Sequence, residues 1–268
     1  MTLSRTTGPR LVGELTYSEI NAAMNARSVL CLPLGSMEQH GPHLPLNTDS
    51  IVADGLARRI AARWATTHDT WLLPLLPIGL SPEHAWAPGT MSLSLTSMAD
   101  YLRNWGREIA RALPARNLLL VNGHGGNRGI LDAVMHELRD DFGLNACTLH
   151  LGALMSPACD SGMPEVHGGN DETSVMLALA PELVRHERIA LLRQPPDAQA
   201  VRDRILDPGV AWPWSSGDKS IADQGITGDP AAASAAHGLA IVERIVEGAD
   251  ATLRQLVAIG DATGLGGT

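Results

Sequence analysis

Asn117-Leu118-Leu119-Leu120-Val121 leads directly into Asn122-Gly123-His124-Gly125-Gly126-Asn127, and a helically spaced stretch from Gly129 to Phe142 follows. A short, unbroken apolar run predicts a strand buried on both faces. Strand, glycine-rich turn and helix in that order form the repeating unit of a parallel α/β sheet. The same order recurs upstream. Ser28–Leu34 (SVLCLPL) reads as a second buried strand, Gly35–His43 as a polar loop, and 49–66 as a helix with Ile51, Val52, Leu56, Ile60 and Trp64 near one face. Thr48 or Asp49 is the expected cap. Trp71–Ile78 (WLLPLLPI) carries prolines that suit an edge or irregular strand. Further helices are expected over Thr96–Leu113, stopped by Pro114, and over Glu172–Leu179, before Pro181. Ala146–Leu151 reads as another strand, and Gly143 as a helix C-cap.

The expected fold is therefore α/β with a mostly parallel central sheet, as a single domain over residues 1–268. Residues 1–10 are polar and read as a flexible lead-in, and the closing GLGGT as loose. Pro195–Gly228, rich in Pro, Gly, Asp and Ser and carrying Trp212 and Trp214, is expected to be a long irregular segment near the site. Asp229-Pro230 places a capping residue before a first-turn proline and predicts an Ala-rich helix from there to about Leu256.

Composition narrows the function classes. Aromatics are only 3% of the chain, so the core must rest on aliphatic residues. The net charge of −9 comes without a Lys/Arg stripe, which disfavours nucleic-acid binding. No apolar stretch is long enough for a membrane span and no signal-peptide core opens the chain, so a cytoplasmic setting is expected. Cys31, Cys147 and Cys159 are too widely spaced for a disulfide framework or zinc knuckle, and the first two read as small buried hydrophobes.

Three polar clusters follow strands or open helices, where open α/β sheets bind ligands. In the first, Glu38 and His40 are two residues apart and share a side in extended backbone; Asp49 enters with the next helix. Carboxylate and imidazole together suit Zn, Mn or Fe. Each residue alone fits a polar loop equally well, and His43 is an alternative to His40. The second cluster offers His124 at a strand end; its glycines resemble a phosphate loop only weakly, since no Lys-Ser/Thr follows. The third is His167-Gly168-Gly169-Asn170-Asp171-Glu172. Glu172 opens a helix, where a carboxylate is favoured in any case, and His167 suits general acid/base work. Glu83-His84-Ala85-Trp86 and Pro88-Gly89-Thr90 line a pocket or form a plain loop. No Gly-x-Ser-x-Gly elbow supports a serine hydrolase.

Together these clusters resemble the creatininase (creatinine amidohydrolase) superfamily. The matching pieces are Leu32–Asp49, Ala87–Ser94, Val121–Asn127, His167–Val184 and Gly225–Pro230. The resemblance implies a three-layer αβα fold, commonly a homohexamer, and two divalent transition-metal ions (Zn, Mn or Fe) per subunit. It places Glu38, His40, Asp49 and His124 at ligand positions, Asp49 as the bridge, with Glu172 in the family's Glu-Thr-Ser motif and His167 as proton handler. One position departs: creatininase itself has a ligating glutamate where this chain has Gly126, and Glu172 is the candidate replacement. The GHGGN form is shared with pyrimidine-intermediate deformylases and mycofactocin-type peptide-processing enzymes. The implied activity is hydrolysis of a non-peptide C–N bond in a small-molecule amide by a metal-bridged hydroxide. The alternatives are a formamide, short-peptide or sugar-lactone metallohydrolase, and a non-catalytic small-molecule binding protein.

Overall fold

The computed structural model describes residues 8–154, 164–192 and 197–265. Among them the apolar runs become strands β1 (Val29–Leu34), β2 (Thr70–Leu72), β3 (Asn117–Asn122) and β4 (Asn145–His150). They form one sheet in the order β2-β1-β3-β4, with every pairing parallel. The longer helices are α1 (Thr48–Arg63), α2 (Leu95–Ala112), α3 (Arg128–Asp140), α4 (Asn170–Leu179) and α5 (Ala235–Thr263).

Alternation along the strands feeds two separate cores. Val29, Cys31, Leu119 and Val121 pack into one with residues of α1, α4 and α5. Leu30, Leu32, Leu34, Leu118 and Leu120 pack into the other with residues of α2 and α3. Both faces of the sheet are covered, which is why β1 and the centre of β3 are apolar residue after residue, and the three-layer αβα arrangement follows. Alanines 53, 57 and 61, all buried, let α1 lie close on the sheet. β2 is an edge strand: Pro74 and Pro77 follow it and cannot donate to a ladder.

The structure revises several boundaries. α1 starts at Thr48, and neither Thr48 nor Asp49 caps it; the N-cap is Asn47, without a side-chain bond. Asp49 sits inside the first turn with its carboxylate turned toward His40 instead. α4 begins at Asn170, which puts Glu172 in its first turn rather than at its start. Asp229-Pro230 opens only a single 3-10 turn, Pro230–Ala232. α5 begins at Ala235, where Ser234 Oγ accepts from His237 N (3.2 Å), and it runs to Thr263, past the expected Leu256. Of the expected lead-in, residues 1–7 lie outside the described residues. Arg10 is pinned: its carbonyl accepts from Leu72 N (2.8 Å) and its guanidinium pairs with Asp69 (2.8 Å). Of the 195–228 segment, 195 and 196 lie outside the described residues; short turns at Ala198–Val201 and Arg202–Leu206 precede chain without regular structure. Cys159 and the last three residues also lie outside the described residues.

Leu119 is fully buried at the centre of the sheet. Leu119→Ala should lower unfolding stability by about 2–5 kcal/mol, measured by equilibrium urea denaturation.

Candidate metal centre

The chain passes from β1 to β2 on one side, then crosses to β3 on the other side of β1. That reversal puts the switch point between β1 and β3, where the following loops splay apart and leave a crevice. Register makes the crevice level: Leu34 pairs with Asn122, and Asn122 with His150, at the strand ends. Glu38 and His40 follow β1, His124 follows β3, and Asp49 enters from the first turn of α1. His167 and Glu172 arrive from the loop before α4 and its first turn. Gly168 between them takes φ +65, a left-handed conformation that favours glycine. Its N–H donates to Glu172 Oε2 (2.7 Å). One Glu172 oxygen thus serves the helix start, while Oε1 lies 3.5 Å from His40 Nε2.

The histidines share a pattern. His124 Nε2 lies 3.0 Å from the Leu80 carbonyl, so that nitrogen carries the ring proton. The lone pair on Nδ1 then faces Glu38 Oε1 (3.2 Å) and Asp49 Oδ2 (3.1 Å). His40 gives its Nδ1 proton to the Glu38 carbonyl (3.1 Å) and turns Nε2 toward Asp49 Oδ1 (3.1 Å) and Glu172 Oε1. His167 Nε2 sits 2.7 Å from the Gln39 carbonyl, leaving Nδ1 3.7 Å from Glu38 Oε1. Gln39 Nε2 is also 3.1 Å from His167 Nε2, but has better acceptors in Gly225 O (2.9 Å) and the His84–Ser216 pair.

Lone pairs facing carboxylates repel unless a cation lies between them. Among the described residues, Glu38 Oε1 and Asp49 Oδ2 are buried without a hydrogen-bond partner, despite their closeness to His124. The donors fall into the groups Glu38–Asp49–His124, His40–Asp49–Glu172 and Glu38–His40–His167, each with ligand atoms within 4.8 Å of one another. This set fits divalent transition ions: mixed N/O donors, with each imidazole's far nitrogen held by a backbone carbonyl. Asp49 presents one oxygen to each of two groups.

Among the protein's own groups, charge is shared through protons. Burial opposes charge on His40, but Asp49 and Glu172 outweigh it and hold the imidazole well above its ordinary range. Glu38 and Asp49 do the same for His124. In return, and against their burial, Glu38 is held at about 2 by His124 and His84, and Glu172 at about 2 by His40 and His167. Asp49 is lowered by the same imidazoles. Burial, then His40, pushes His167 down.

All six expected site residues converge. His43 does not join them: its Nε2 bonds Thr173 Oγ1 (2.8 Å) beneath α4. Sequence reasoning gave too little weight to Glu83-His84. His84 stacks on His167 (centroids 4.0 Å apart) and turns Nε2 to Glu38 Oε1 (3.4 Å). Its Nδ1 pairs with Ser216 Oγ (2.7 Å), and Trp86 Nε1 donates to that same hydroxyl (2.8 Å). Ser81 Oγ donates to Glu38 Oε2. None of these had a metal-ligand spacing to reveal it. A cavity of about 450 Å³ opens over the cluster, with Arg128, Glu165 and Trp214 among its walls.

Comparison with known proteins agrees with this geometry. The chain matches the creatininase family, described as creatinine amidohydrolase, over residues 13–253. It is 35% identical over 246 residues to the mycofactocin precursor peptide peptidase of Mycobacterium tuberculosis (strain ATCC 25618 / H37Rv), covering 88% of this chain and 89% of that protein. It is 34% identical over 200 residues to the creatinine amidohydrolase of Pseudomonas putida, covering 66% of this chain and 75% of that protein. A solved structure named "Creatininase Mn" superposes with a TM-score of 0.73 at 28% identity, over 92% of this chain and 98% of that one. With its fold, its donor cluster and its sequence in agreement, this chain belongs to the creatininase (creatinine amidohydrolase) family.

Proposed function

We propose that this chain hydrolyses the amide C–N bond of a small molecule in the cavity above Glu38, His40, Asp49, His124 and Glu172. Family membership makes it a metal-dependent amidohydrolase; the substrate class, the ion count and the residue roles are our reading. The observation that carries it is the set of imidazole lone pairs turned onto buried carboxylates. Glu38, Asp49 and His124 would hold one ion, and His40, Asp49 and Glu172 a second, so that Glu172 replaces the ligand missing at Gly126. Bound divalent ions supply Lewis acidity toward a carbonyl and lower the pKa of water toward about 7.

The chain's own residues do the rest. His167 is fixed as the Nε2–H tautomer by the Gln39 carbonyl, so Nδ1 is the atom that takes a proton from attacking water. It delivers that proton to the leaving nitrogen, a role typically contributing about 10²–10⁴-fold. The stacked ring of His84 prevents His167 from swinging away. The irregular segment carrying Trp214 and Ser216 walls the cavity and limits entry of water. Zn, Mn or Fe suits the donors, and a homohexamer in the cytoplasm completes the reading.

A second reading has a specific observation behind it. The peptidase relative is matched over 88% of this chain, which favours an amide in a short peptide. Turnover assays of metal-loaded protein on creatinine, N-formyl compounds and short peptides separate the two; hydrolysis of none of them counts against both.

Elemental analysis of the purified protein should find about two transition-metal equivalents per chain. Well under one equivalent, with no uptake of added Zn or Mn, would overturn the proposal. Asp49→Ala should lose both ions. His167→Ala should keep its metal while kcat falls by about 10²–10⁴-fold; loss of metal would make His167 a ligand.

A further inference from the structure

We infer that Glu83 is a positioning residue for the metal centre, and that Gly126 is small because the Glu83 carboxylate fills the space beside it. This rests on His124 being a metal ligand, as proposed above. Glu83 lies on the 3-10 turn Pro82–His84, with its side chain 10% exposed. Its Oε1 is 3.4 Å from His124 Nε2. That nitrogen carries the ring proton and gives it to Leu80 O at 3.0 Å, and Glu83 sets a carboxylate beside the same edge of the ring. A Cβ added at Gly126 would collide with Glu83 Oε1 and come within 2.5 Å of both His124 Nε2 and Leu80 O. Glycine at 126 and carboxylate at 83 therefore form a matched pair.

The turn is anchored for the task. The Glu83 carbonyl accepts from Ser216 N (3.0 Å) and Ser215 Oγ (3.3 Å), both on the irregular segment that walls the cavity. Glu83 sits at the Nε2 edge of the ring, while Glu38 and Asp49 sit at the Nδ1 edge. It therefore acts through His124. A carboxylate beside the far nitrogen makes Nδ1 more electron-rich and steadies the ring's aim, and loss of such a partner typically costs about 10–100-fold in metal affinity.

The test is Zn²⁺ affinity of the metal-stripped full chain, measured by competition with a chromophoric chelator. Circular dichroism melts of the metal-free proteins control for folding. Glu83→Ala should weaken the tighter-affected site by about 10–100-fold. Glu83→Gln keeps an acceptor oxygen but loses the charge, and should fall between it and wild type. Gly126→Ala should weaken binding at least as much as Glu83→Ala, because its Cβ meets Glu83 Oε1, His124 Nε2 and Leu80 O together. Wild-type affinity in Glu83→Ala or in Glu83→Gln would overturn the inference. A wild-type protein that binds no Zn²⁺ overturns the metal proposal instead.

Discussion

Acceptor facing acceptor is the constraint on which the rest of this molecule depends. His40 and His124 each give their single neutral-ring proton to a backbone carbonyl and turn a lone pair onto buried carboxylates. Such an arrangement has no favourable state without positive charge between the groups, whether proton or metal ion. Holding it demands a frame that does not relax. The frame is a flush parallel sheet covered on both faces, with α1 fixing Asp49 and α4 fixing Glu172. The unfavourable contacts are held in place by the two apolar cores.

Much of this frame was legible in the sequence. NLLLV and SVLCLPL read as doubly buried strands, and strand–loop–helix order implied parallel pairing. The Glu38–His40 spacing and His124 at a strand end marked the crevice. Less visible was anything set by a side chain's choice between two partners. Asp49 reads both as a site residue and, with Thr48, as a candidate helix cap; it does not cap α1, since its oxygens are drawn to His40 and lie against His124. Asp229-Pro230 looked like a helix start, yet the chain makes one 3-10 turn first, and Ser234 does the capping. Glu83 and His84 were indistinguishable from an ordinary loop. Their meaning comes from contacts with His124, His167 and Ser216, which lie 41 to 133 residues away in sequence.

The two halves of the centre differ in how they are held. His124 and Glu38 are gripped by short local chemistry: the Leu80 carbonyl, the Ser81 hydroxyl and the Glu83 turn. His40 and Glu172 meet across the boundary between the β1 loop and α4, and the α4 end relies on a left-handed Gly168. One half is thus built within the sheet's own loops and the other by docking α4, which packs against α5 in the same core.

The wall over the crevice is attached differently again. Ser216 links it to Gln39, His84, Trp86 and the Glu83 carbonyl through a handful of polar contacts, while Trp214 faces the opening. Nothing in the apolar cores depends on most of its residues. Wall and floor therefore rest on separate parts of the chain, so that residues of the wall can change without disturbing the donor cluster. A separable wall leaves room for one family to hold proteins named as a peptidase and as a creatinine amidohydrolase.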